Sequence, residues 1–135
     1  MYEDLASIRL HADLHDHLRV LAAELSQQRR VRITILSLLE EGIRAVCTQP
    51  LEAWVAWAAQ DSNTVRIGEA SISFRIHAEL VRDLGVLAAH VTAQSKVPIT
   101  KTHLIEEAGR RIIAQIEAEQ RELDAMAHEA ETIDT

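Results

Sequence analysis

Two short stretches of this chain alternate between apolar and polar residues, and each is followed by apolar residues at helical spacing. In the first, Ala6, Ile8 and Leu10 fall on one side and Ser7 and Arg9 on the other. In the second, Ile72, Phe74 and Ile76 oppose Ser71, Ser73 and Arg75. A period of two over so few residues predicts short strands, each with one buried face. The period then changes. Leu14, Leu18, Leu21, Ala22 and Leu25 share one helical face, as do Leu80, Leu84, Leu87, Ala88 and Val91. A polar stretch, SQQRRVR or TAQSKVP, closes each of these helices.

A further helix is expected in both places, opened by Thr34 or Thr100, whose hydroxyl can accept a bond from an unpaired backbone N–H of the first turn. Pro98 lies just upstream, in the turn, where it interrupts no helix. The apolar face is Leu38, Leu39, Gly42, Ile43 and Val46 in the first case, and Leu104, Ile105, Ala108, Ile112 and Ile116 in the second.

These parallels reflect a duplication. A shift of 66 residues aligns Ser7–Val46 with Ser73–Ile112 without a gap, and 18 of the 40 pairs are identical. One strand cannot satisfy its own backbone, and one unit of this size buries too little apolar surface to stand alone. Two units solve both problems if their strands pair and their helices share a core. The expected fold is therefore mainly α with a two-stranded antiparallel β-ribbon, divided into a first copy (1–47), a linker (48–69), a second copy (70–113) and a tail (114–135).

Composition narrows the picture. Aromatic residues make up only 3%, so aliphatic side chains must build the core, and the few Gly and Pro favour helix. No apolar run is long enough for a membrane span, and no secretory leader is visible. The single cysteine, Cys47, fits a reducing, cytoplasmic setting and is expected to be a small core residue. The net charge of −7 argues against a nucleic-acid partner until it is mapped. Residues 1–113 hold 13 Lys/Arg against 14 Asp/Glu, whereas residues 114–135 hold one Arg against seven acids. The acidity belongs to the tail.

The order strand, helix, turn, helix resembles the MetJ/Arc/CopG ribbon-helix-helix superfamily. PITKTHLIEEAGR, from Pro98 to Arg110, is similar to that family's G-x-S-x-S-x-x-I-x-x-A turn and second helix. Pro98 takes the glycine place, and Thr100 and Thr102 are the hydroxyl residues. SFRIHAEL, from Ser73 to Leu80, resembles the family's strand and helix start, with Arg75 as the outward basic residue. The resemblance implies a tandem ribbon-helix-helix pseudo-dimer in one chain, as in the TraY-like conjugation proteins. It also implies sequence-specific binding of double-stranded DNA.

In that case the base-reading side chains are Ser7, Arg9, Ser73 and Arg75, flanked by Leu5 and Ser71. Arg can donate two bonds to guanine, and Ser can bond to any base. The second-helix N-termini would take phosphates through Arg29, Arg30, Arg32 and Thr34 in the first copy. Lys96, Thr100, Lys101 and Thr102 would do so in the second. Ile35 and Leu36 stand where the second copy has Lys101 and Thr102, which predicts a poorer first phosphate site and an asymmetric operator.

The linker stretch LEAWVAWAAQ predicts a short helix with Trp54 and Trp57 one turn apart, followed by a DSNT turn. The Trp pair either seals the core or forms an apolar patch for a partner or a second molecule. The tail extends the last helix, with Leu123, Met126, Ala130 and Ile133 recurring after Ile116 in a broken heptad. His11 and His15 are four apart, but no further ligand completes a metal site. No catalytic constellation or cofactor motif appears, so no enzyme is expected. Two roles follow: a DNA-binding repressor or conjugation/plasmid accessory factor, or a protein-binding antagonist, DNA mimic or antitoxin that uses the same fold and its acidic tail.

Overall fold

The computed structural model describes residues 5–60 and 71–133. Its elements run β1 (Leu5–His11), α1 (Ala12–Arg29), α2 (Ile35–Thr48), α3 (Leu51–Ala58), β2 (Ser71–His77), α4 (Ala78–Ser95) and α5 (Lys101–Ile133). The chain is thus mainly helical, with one two-stranded antiparallel sheet. The DSNT turn, at residues 61–64, and the side chain of Ile133 lie outside the described part.

Alternation in the sequence becomes a division between faces. Ile8, Leu10 and Ile76 are buried, with Phe74 partly buried against the core, while Leu5, Ser7, Arg9, Ser71, Ser73 and Arg75 are exposed. The register places Ile8 opposite Phe74, Ser7 opposite Arg75 and Arg9 opposite Ser73. Ile8 and Phe74 are also equivalent under the 66-residue shift. Each strand therefore meets the other copy's equivalent residue at the middle of the ladder.

The same relation recurs in the helices beneath. A methyl group added to Gly42 of α2 would lie 2.6 Å from the carbonyl oxygen of Ala108 in α5, and residues 42 and 108 are again equivalent. Only a residue without a side chain lets these two backbones approach so closely. Leu38, Leu39, Ile43 and Val46 from α2 and Leu104, Ile105, Ile112 and Ile116 from α5 fill the core around this crossing. Core-facing contact in α5 continues beyond residue 113, since Ile116 is buried.

Two carboxylates bind the ribbon ends to these helices. Glu106 Oε1 accepts a bond from the His11 backbone N–H at 2.8 Å, and Glu40 Oε2 accepts from the His77 N–H at 3.1 Å. Glu40 also lies against His77 Nδ1, and it is the one buried charged residue among those described. Each glutamate serves a strand of the other copy, and each satisfies a backbone donor at a strand-to-helix junction.

Helix α3 follows Pro50, which cannot donate to α2 and turns the chain. Trp54 is fully buried, donates its indole N–H to the Val46 carbonyl at 3.0 Å, and stacks edge-on against Trp57. The guanidinium of Arg111 covers the Trp54 ring at 4.4 Å. These rings are part of the core, so the expected alternative of an exposed tryptophan patch is not what the fold presents. Cys47, expected inside, is exposed instead. Partial desolvation and then the nearby Asp83 carboxylate raise its pKa, which keeps the thiol protonated. Among the described residues no helix is long and apolar enough to cross a membrane.

Candidate nucleic-acid interface

The outer face of the ribbon is a small polar surface built by register. Four cross-strand pairs follow one another on it: Leu5 with His77, Ser7 with Arg75, Arg9 with Ser73, and His11 with Ser71. All four expected base-reading residues, Ser7, Arg9, Ser73 and Arg75, are exposed here. The sheet brings them together from sites more than sixty residues apart in the chain. Arg9 Nη1 donates to Ser71 Oγ at 3.0 Å, a diagonal bond across the two strands.

The second-helix starts are organised alike in the two copies. Thr34 and Ser37 form a capping box: Thr34 Oγ1 accepts from the Ser37 N–H at 3.1 Å, and Ser37 Oγ accepts from the Thr34 N–H at 3.1 Å. In the other copy His103 takes the serine's part. Its N–H donates to Thr100 Oγ1 at 3.3 Å, and its Nδ1 accepts from the Thr100 N–H at 3.1 Å. Burial and then Arg110 lower the pKa of this imidazole, which favours the neutral form that accepts.

Each preceding turn is tied by an equivalent hydroxyl. Ser26 Oγ accepts from the Ile33 N–H at 2.9 Å, and Thr92 Oγ1 accepts from the Ile99 N–H at 2.9 Å. These ties hold turns that contain a feature with no signal in the pattern of the sequence. Arg30 and Lys96, equivalent residues, both adopt left-handed backbone conformations, with φ of 53° and 62°. Glycine is the ordinary occupant of such a helix-ending position, and a side chain there costs roughly 1–2 kcal/mol. Both copies nevertheless keep a cation next to the N-terminus of the second helix.

Arg29, Arg30 and Arg32 are exposed around Thr34, and Lys96 and Lys101 are exposed around Thr100. Thr102 is half-buried in the first turn of α5. Ile35 and Leu36 pack against the core, so the first turn of α2 offers apolar side chains where α5 offers Lys101 and Thr102. Glu40, which reaches β2, lies six residues along from Thr34, about 9 Å of helix. The equivalent Glu106 relates α5 to β1.

His11 and His15 do not converge on a common site. His11 Nδ1 accepts from the Asp13 N–H at 3.3 Å, and the His15 ring meets Phe74 edge-on at 6.0 Å. No group of three or more metal-ligating side chains gathers among the described residues.

Helix α5 runs on for 33 residues, about 50 Å. It touches α1 through Glu117 with His17 at 3.3 Å and Gln120 with Gln28 at 3.3 Å. Beyond that, residues 121–131 are exposed, including Leu123 and Met126. Comparison with protein-family models, curated proteins and solved structures finds no match to this chain.

Proposed function

We propose that this chain is a tandem ribbon-helix-helix pseudo-dimer that binds double-stranded DNA sequence-specifically, with its β-ribbon in the major groove. Its role is that of a transcriptional repressor or a conjugation/plasmid accessory factor. The observation that carries the reading is the register, which sets Ile8 against its own equivalent Phe74 and leaves two arginines and two serines on one exposed face. A two-stranded ribbon fits the major groove, and arginine there can donate two bonds to guanine. The helix starts at Thr34 and Thr100 supply partial positive charge and nearby cations for the flanking phosphates. Arg30 and Lys96, the exposed left-handed caps of α1 and α4, add a cation at equivalent places beside these two helix starts.

The test is selection of bound fragments from random duplex DNA, followed by titration against salt. Arg9→Ala and Arg75→Ala should each cost discrimination of about 1–3 kcal/mol at one base pair. Lys101→Ala should weaken binding to all sequences alike and reduce the salt slope by about one. Full discrimination retained by the Arg9/Arg75 double mutant would overturn ribbon readout.

One observation favours the second reading, a protein-binding antagonist or antitoxin. Leu123 and Met126 are 63% and 64% exposed on a helix segment rich in Glu and Asp. Truncation after Gln120 separates the two: DNA affinity stays or rises under the first reading, and protein binding is lost under the second.

A further inference from the structure

The outer face of the ribbon is symmetric in its backbone and asymmetric in its chemistry. Under the 66-residue equivalence Arg9 corresponds to Arg75, Ser7 to Ser73 and Leu5 to Ser71. Arg9 donates diagonally to Ser71. The mirror-image bond would run from Arg75 to residue 5, where leucine offers no acceptor. Among the described residues the Arg75 side chain makes no hydrogen bond or ion pair.

We propose that Ser71 is a specificity-determining positioning residue: it holds Arg9 in place for a guanine, so that the two halves of the ribbon read DNA unequally. This rests on the DNA-binding reading above and adds to it which half is stringent. An arginine has five N–H donors, so one given to Ser71 leaves enough for a two-bond contact with guanine O6 and N7. A long side chain already confined loses less rotamer freedom on binding, and that saving appears only when its bonds to the base are made. Arg75 must be ordered at the moment of binding and tolerates other bases more readily. Leu5, at the mirror position, offers an apolar contact suited to a thymine methyl in place of a tether.

The test uses the full chain and selection from random duplex DNA. The wild type should enrich one guanine strongly and a second one weakly, and loss of the strong one in Arg9→Ala assigns it to Arg9. Ser71→Ala should lower the preference at that position about 3- to 10-fold, the range for ordering one long side chain, with non-specific affinity unchanged. Ser71→Thr, which keeps the hydroxyl, should restore it. Leu5→Ser should install the missing tether and sharpen the guanine read by Arg75. In an Arg9→Ala background Ser71→Ala should have no further effect.

A wild-type chain that enriches no sequence overturns both the DNA reading and this inference. Enrichment that Ser71→Ala leaves unaltered overturns the tether alone. A further loss in the Arg9→Ala background assigns Ser71 a base contact of its own and likewise overturns the tether.

Discussion

The chain leaves each copy's second helix by a different route, although the two routes begin from equivalent residues. Helix α2 ends at Thr48 and is followed by Gln49 and Pro50; the equivalent residues in α5 are Ala114, Gln115 and Ile116. Proline ends α2, and the chain turns into α3, where Trp54 and Trp57 are buried. Isoleucine continues α5 unbroken, and the residues equivalent to the tryptophans are Gln120, which touches Gln28, and Leu123, which is exposed. One residue type at one position thus separates a segment that completes the core from one that leaves it. The comparison teaches that duplicated units can keep their framework, ribbon register and helix crossing alike, while their exits diverge.

The largest effect that can break this contrast is on stability. Trp54→Ala should cost about 3–5 kcal/mol, since it empties a fully buried site and removes the indole bond to the Val46 carbonyl. Leu123→Ala, at the position equivalent to Trp57, should stay within about 0.5 kcal/mol. Urea denaturation of both variants decides the matter, and a cost at Leu123 as large as that of a core leucine would mean that the tail is packed.

A smaller effect sharpens the comparison at the helix crossing. Gly42→Ala drives a methyl into the Ala108 backbone and should destabilise by about 1–3 kcal/mol, although alanine is the better helix former. Ala108→Gly relieves no clash and should cost about 1 kcal/mol through helix propensity. Should Gly42→Ala instead stabilise the protein in thermal melts, the two helices do not meet as closely as 2.6 Å implies.

The smallest effect distinguishes the two helix starts by pH. His103 has its pKa lowered in the fold, by burial and then by Arg110, whereas Ser37 in the other copy does not titrate. The unfolded chain takes up this proton first, near the ordinary value of 6.5, so it binds more protons than the native state below that point. The contribution is therefore complete above about pH 6.5 and declines as pH falls toward the lowered native value. His103→Ser, which copies Ser37, should flatten that part of the stability–pH curve while preserving the cap.

Much of the fold was legible because the signals were local. Alternation marked Ala6–Leu10 and Ser71–Ile76, and the strands extend only slightly beyond, to Leu5–His11 and Ser71–His77. Both threonine caps and both helical faces were readable from spacing alone. The candidate interface was readable as a set of residues, but its order was not. That Arg9 reaches Ser71, and that Arg75 has no such acceptor, depends on which residues face each other across the ribbon. Glu40 and Glu106 match under the 66-residue shift, but nothing in the sequence around them indicates that each holds the other copy's strand. Cys47 lies next to the apolar stripe of α2 yet just off its buried face, so it is exposed where the pattern suggests a core residue.

The amino-acid sequence by itself determined the repeat, the element types and the side of each element that seeks the core. Those properties arise from side-chain periodicity and backbone preference within a few residues. Tertiary structure alone decided the ladder register, the close passage of Gly42 past Ala108, and the left-handed backbones of Arg30 and Lys96. It also decided the burial of the Trp pair. The register, the helix crossing and the buried Trp pair are contacts between parts of the chain far apart in sequence, and their energy exists only once both copies have closed on one core.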